Sequence, residues 1–162
     1  MEDIRRSIKR SVALCIVLIL GVLVLTSCGS KKEAITSSEF KKALGGSFEY
    51  SDITDQYKSK DSTVEEVVYA KNDDNLEVQF WRHRDKLSAA SSFHDKRHKI
   101  EKYCPKDCDW EKGKDETLFV EGHNDSIYFK AAKIDDTVVY AVSTRSNEAN
   151  VDKLFEKIGY VK

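Results

Sequence analysis

From Val12 to Leu25 the chain runs fourteen residues without one charged side chain, behind a basic opening of Arg5, Arg6, Lys9 and Arg10. A basic segment followed by an apolar run is the pattern of an export signal. At 1.5 Å per residue the run makes about 21 Å of helix, short of the ~30 Å hydrocarbon core of a bilayer, so a removable signal fits better than a permanent span. Excess lysine and arginine ahead of it holds that end in the cytoplasm and sends the remainder outward. With residues 1–27 read as the signal, about 135 of the 162 residues remain. That length supports one domain with a buried core and no compulsory metal or disulfide.

The signal holds four basic residues against Glu2 and Asp3, so its removal turns the net charge of −1 into −3. Phosphate binding needs a clear excess of lysine and arginine, and a mildly acidic domain argues against nucleic acid as a general partner.

Directly after the apolar run stands Leu25-Thr26-Ser27-Cys28, which resembles the lipobox of bacterial lipoproteins: an aliphatic residue, two small residues, then cysteine. The resemblance implies that Cys28 receives a diacylglyceryl group on its sulfur, that the peptide is cut before it, and that the new amino terminus can be acylated as well. One acyl chain holds a protein to a membrane only marginally, whereas two anchor it stably. A simple secretory signal with a cysteine at its border is the plainer reading. Residues 28–34 form a short tether of roughly 25 Å when extended, so the expected location is the outer face of the cytoplasmic membrane, with the bilayer as first partner. Lys31 and Lys32 in that tether stand to meet anionic headgroups or solvent.

A domain is expected over 35–162. Thr36 as N-cap with Glu39 three residues on, and Ile35 placed to staple against Phe40, open a first helix, and Gly45-Gly46 end it. Alternation predicts strands over 47–53, 64–71 and 76–82, then a long helix from Asp85 with Leu87, Ala90, Phe93, Ile100 and Cys104 along one stripe. After a polar loop over 103–115, strands follow at 117–123, 127–134 and 137–143, with turns at Asn124-Asp125 and Asp135-Asp136. Val151, Leu154, Phe155 and Ile158 repeat at helical spacing and Gly159 stops the last helix. The fold class is therefore α+β: a mainly antiparallel sheet of about six strands with three helices in the order α-βββ-α-βββ-α, the helices layered on one sheet or on two smaller ones.

This layout resembles a group of small uncharacterised lipoproteins of Gram-positive anaerobes. The likeness rests on the lipobox, the opening at 34–40, Asp55-Gln56-Tyr57, the segment Asn75-Leu76-Glu77-Val78-Gln79-Phe80, and Asp136-Thr137-Val138-Val139-Tyr140. It implies location and fold and carries over no catalytic residue.

Cys104-Pro105-Lys106-Asp107-Cys108 suits a short disulfide at an oxidising surface, and closing so small a loop stabilises by roughly 2 kcal/mol before strain. Free thiols are the alternative. A third reading joins them to His94 and His98, which sit at i and i+4 of the predicted helix, as a zinc set in the spacing H-x3-H-x5-C-x3-C. Against it, the span between the pairs is short and His98 falls off the apolar stripe. No cofactor is otherwise expected.

From Arg82 to Lys102 seven lysines and arginines face three acidic residues. Arg82, Arg84, Lys86, Lys96, Lys99 and Lys102 are either a solvated helix face or a contact for anionic lipid, a wall polymer or an envelope protein. Arg97 falls among the apolar positions, where it must snorkel, find an acidic partner or break the helix. Ser38-Glu39-Phe40-Lys41 matches S-x-x-K without the companion motifs, and no G-x-S-x-G, G-x-x-x-x-G-K or H-E-x-x-H occurs. Glu65/Glu66, Asp73/Asp74 and Asp135/Asp136 read as turn and solubility residues. The expectation is a tethered, non-catalytic binding or structural module, with a zinc-binding lipoprotein as the alternative.

Overall fold

In the computed structural model, residues 32–113 and 116–161 are described; the signal segment, Cys15 and the lipobox with Cys28 lie outside them. Residues 32–162 make one compact unit. Along the chain come α1 (Ser37–Leu44), β1 (Glu49–Asp52), α2 (Thr54–Lys58), β2 (Val64–Lys71), β3 (Glu77–His83), α3 (Lys86–Tyr103), β4 (Cys108–Lys112), β5 (Leu118–His123), β6 (Ile127–Ile134), β7 (Thr137–Thr144), a 3-10 turn (Arg145–Asn147) and α4 (Glu148–Lys157). The strands form a single antiparallel sheet in the order β1-β2-β3-β7-β6-β5-β4.

Local chemistry sets most of these boundaries. The Thr36 hydroxyl accepts from the Glu39 backbone N–H, the Glu39 carboxylate accepts from Thr36 N–H at 2.8 Å, and Gly45 closes α1 at φ 81°. These bonds to Thr36 hold the Glu39 carboxyl below its ordinary pKa. The Asn72 amide oxygen accepts from Asp74 and Leu76 N–H, each at 3.1 Å, and Asn124 does the same for Ser126 and Ile127 at 2.9 Å. Such side-chain turns replace the missing ladder bonds of a hairpin. Between β6 and β7 the turn is only Asp135-Asp136, and Asp135 takes φ 50° to close it, a conformation that Asp tolerates better than most side chains. At the end of α4, Gly159 at φ 75° lets Tyr160 N–H reach the Phe155 carbonyl at 2.8 Å. That bond turns the Tyr160 ring into the core, where it is fully buried.

Helices cover both faces of the sheet. One face packs α1 and α4 through Phe40, Leu44, Phe80, Phe119, Phe155 and Tyr160. The other packs α3 through Val67, Trp81, Phe93, Ile100, Phe129 and Tyr140. Adjacent residues of β7 point to opposite faces, and both sets are buried, which is why Thr137–Ala141 read as a continuous apolar run.

Against the expected layout of about six strands and three helices, the described residues form seven strands and four helices, with helices on two sides of one sheet. The additional strand, β4, lies inside the predicted polar loop; it is a five-residue edge strand carrying Asp109, Glu111 and Lys112, charges that edge strands tolerate. The additional helix, α2, has five residues and none buried, too few for a periodic signal. In α3, which Asp85 caps through a 2.8 Å bond from Ser88 N–H, the buried residues are Ala89, Phe93 and Ile100. Leu87 lies about 120° around the helix from Phe93 at 100° per residue and is 81% exposed, so the stripe expected through it is displaced.

Candidate functional site

On the α4 side Lys130 binds Asp152 and lies 3.2 Å from Glu121, an ion-pair cluster that Tyr128 completes; the α3 side holds the larger groupings, and its two ends differ. At the β2-β3-β7 end the space is filled by an aromatic cluster closed with a lysine. Lys96 takes an inward position between Phe93 and Ile100, and its ammonium lies 3.8 Å from the centre of the Trp81 ring and 5.8 Å from that of Tyr140. Tyr57 of α2 meets Trp81 edge-on at 4.5 Å, and His83 stacks on its other side at 6.2 Å. The Trp81 indole N–H donates to Gln79 at 3.1 Å. Burial, helped by neighbouring Lys99, pulls the Lys96 ammonium down to about 8. Burial likewise lowers the pKa of His83 and raises that of Tyr140. Neither ring nitrogen of His83 nor the Tyr140 hydroxyl has a hydrogen-bond partner among the described residues.

At the opposite end, over β4, β5 and β6, the space stays open as a groove of about 450 Å³. Its walls are Leu87, Ala90 and His94 of α3 and Trp110 of β4, with Leu118 in the floor. Leu87 and Trp110 are two of only four large apolar side chains exposed among the described residues. The indole is held in place: the Arg97 guanidinium stacks on it at 4.3 Å, and Arg97 is fixed by a 2.8 Å bond from Nε to Glu101. Arg97 thus finds both the acidic partner and the aromatic surface that its place on the helix requires.

Charge enters the groove through the register. Lys112, Leu118 and Lys133 pair directly across three strands, so their side chains rise from the same face in one row, with a lysine on either side of the leucine. Lys133 is 2% exposed and its ammonium donates to the Glu116 carbonyl at 3.3 Å. Burial lowers its pKa, opposed by nearby Glu116 and Asp135. Glu116 holds φ 61°, and Lys86 at the rim binds Asp135 at 2.7 Å. An apolar trough edged by three lysines and one carboxylate, Glu116, is a binding geometry: apolar walls supply area and few polar groups fix orientation.

The residues singled out from sequence scatter across this face. His94 lines the groove, whereas His98 points outward and its Nδ1 lies 3.0 Å from Glu101. Cys104 is buried, and Cys108 faces Gly122 across the β4–β5 ladder. Among the described residues no three His, Cys, Asp or Glu side chains converge as a metal site. The zinc set is therefore not assembled: His94 turns into the groove, His98 turns outward to Glu101, and Cys104 is buried at the end of the helix. Cys104 and Cys108 are both free thiols, raised in pKa chiefly by burial. They flank one glycine, since a Cβ on Gly122 would sit 3.3 Å from the Cys104 Cβ.

The basic run is not one surface. Arg82 is spanned by Glu65 and Glu66 at 3.6 and 3.7 Å, Arg84 meets Asp85 at 3.6 Å, and Lys86 meets Asp135. Lys96 is half-buried over Trp81 and the Lys99 ammonium lies 5.5 Å from the centre of the Tyr140 ring, while Lys86, Lys99 and Lys102 are the exposed lysines of the run. In the tether, Lys32 lies over the Phe119 ring at 4.9 Å instead of reaching outward. Among the described residues no helix is long and apolar enough to cross a membrane.

Sequence reasoning passed over Lys133 and Trp110. A lysine inside the buried run Tyr128–Ile134 was a visible signal, because it occupies an inward position of a strand with apolar neighbours on both faces. Trp110 had no such signal, since its strand was unrecognised. Comparison of the chain with protein-family models, with curated proteins and with solved structures gives no match.

Proposed function

We propose that this chain is an extracytoplasmic lipoprotein, anchored by acylated Cys28 to the outer face of the cytoplasmic membrane, and that its domain is a non-catalytic binding module working through the α3 groove. Location rests on the basic opening, the Val12–Leu25 run and Leu25-Thr26-Ser27-Cys28. Binding rests on a single observation: exposed Leu87 and Trp110 face each other across a groove whose indole is already held by Arg97. Apolar side chains lining a concave groove with a few polar groups at its edge are the usual makings of a small-ligand site. A held indole also loses little rotamer freedom on binding.

Intact mass of the protein extracted from native membranes tests the anchor. The expected product begins at Cys28 and carries diacylglyceryl mass; a product beginning elsewhere, or free in the medium without acyl mass, overturns the location. For Cys104 and Cys108, free thiols in this structure, we propose that export closes them into a five-residue disulfide loop beside Gly122. Non-reducing mass spectrometry reads it directly as a deficit of two daltons against the reduced chain, and the full mass would remove it.

A further inference from the structure

The groove has polarity along its length as well as volume. Leu87, Ala90 and the Trp110 ring form its apolar stretch, and the Lys112–Leu118–Lys133 row closes one end with two ammonium groups. Strands lie about 4.8 Å apart, so the two lysine backbones stand roughly 10 Å apart, and side chains of that length converge easily on one small anion above Leu118. Among the described lining residues Glu116 is the one carboxylate, set against Lys86, Lys112 and Lys133; Lys86 is engaged by Asp135. That leaves an excess suited to one negative charge. Lys133 is the informative residue: it is 2% exposed, its ammonium donates to the neutral Glu116 carbonyl at 3.3 Å, and the Glu116 and Asp135 carboxylates lie near it. A buried cation whose hydrogen-bond acceptor is neutral gains from a charged acceptor placed beside it.

From this juxtaposition we infer that the groove binds a single-chain anionic amphiphile, its acyl chain between Leu87, Ala90 and Trp110 and its carboxylate or phosphate against Lys133 and Lys112. A cationic or zwitterionic head meets the wrong charge there, and a small polar anion leaves the apolar walls wet. The inference deepens the binding-module reading and rests on it, but it is independent of whether Cys28 is acylated.

The probe is dodecanoate, below its micelle concentration, added to the chain from residue 28 onward with Cys28→Ser, which retains the whole compact unit 32–162. Saturable one-to-one binding with a change in Trp emission that is lost in Trp110→Phe is expected. Each methylene added from decanoate upward should tighten binding about fourfold until the groove is full. Lys133→Met keeps the side-chain length and drops the charge, and should weaken dodecanoate at least tenfold while leaving dodecanol unchanged. Lys112→Gln at the exposed strand should weaken dodecanoate several-fold, and this variant stays informative if Lys133→Met fails to fold. Dodecyl phosphate compared with dodecanoate shows whether a phosphate or a carboxylate head is preferred, and tighter binding of either supports the inference. Dodecylamine binding as well as dodecanoate, no loss in either lysine variant, or preference for an acidic peptide over every amphiphile would overturn it. Absent amphiphile binding beside an acylated native Cys28 removes the ligand class and leaves the anchor; binding beside an unmodified Cys28 does the reverse.

Discussion

The two faces of the sheet are made by alternate residues of the same strands, yet they are covered to different degrees: beside Leu44 and Leu154 of α1 and α4 a groove of about 240 Å³ remains, whereas α3 leaves one of about 450 Å³. Under α1 and α4 the buried tyrosines are satisfied: the Tyr160 hydroxyl meets Thr137 and accepts from Ile35 N–H, and the Tyr128 hydroxyl donates to Asp152 at 3.0 Å. Under α3, His83 and Tyr140 are buried with no side-chain hydrogen bond among the described residues, and Lys96 and Lys133 reach into positions that a core usually gives to leucine. The reason is width. Seven strands about 4.8 Å apart span roughly 29 Å, and one helix is about 10–12 Å across. One long helix, helped only by Tyr57 of the five-residue α2, leaves much of that face to be covered by long side chains. Trp81, Tyr140 and Lys96 manage this at one end; at the other the cover stops short and the groove remains.

That contrast can be tested by stability. Phe155→Ala on the α1/α4 face removes a fully buried ring and should cost about 3–5 kcal/mol, read as a large drop in the urea midpoint. A loss below about 1 kcal/mol would mean that this face is looser than its packing implies. Gly122→Ala asks how tightly α3 sits on the sheet: the added methyl would lie 2.6 Å from Ile100 Cγ2 and 3.2 Å from the Asp107 carbonyl. A penalty of about 1–3 kcal/mol is expected, and a neutral result would show that α3 lifts freely.

Acid should act on the α3 side. Burial depresses the His83 pKa below 6.5, against opposing pulls from Asp61, Asp85 and Asp136 and with Lys96 reinforcing it. The native state therefore binds fewer protons than the unfolded chain once the pH falls below about 6.5, and stability declines from there down through the native pKa. One group contributes a slope of at most about 1.4 kcal/mol per pH unit. His83→Phe should flatten the curve between pH 6.5 and 5 relative to the parent; identical curves would assign the acid response elsewhere. Thr36→Ala strips the cap from α1 and should cost about 1 kcal/mol, measurable as a small midpoint shift. Smallest of all, Leu87→Ser on the open side should change stability by no more than about 0.5 kcal/mol; a larger loss would make Leu87 part of the core and not of a groove wall.

Elements whose code is local were legible in the sequence. Thr36 and Glu39 announced α1, Asp135-Asp136 announced the β6–β7 turn, and the 64–71 and 127–134 strands were bounded to the residue by alternation and turn signals. What was missed depended on distance along the chain. Trp110 reads as loop until β5 is there to pair with it. Lys96 looks like one more helix-surface charge until Trp81, fifteen residues earlier, supplies a ring beneath it. Arg97 was visibly out of place, and only packing shows that Glu101 and Trp110 make its position comfortable.

The sequence by itself determined the α+β class, the hairpin turns and the caps, because each is a matter of neighbouring residues and short-range sterics. The tertiary structure decided that one sheet would have two unequal faces, that a scattered set of two lysines, a leucine and a tryptophan would line one groove, and that the His94, His98, Cys104 and Cys108 series would not converge. Those outcomes follow from strand order and register, which bring together residues that no local pattern connects.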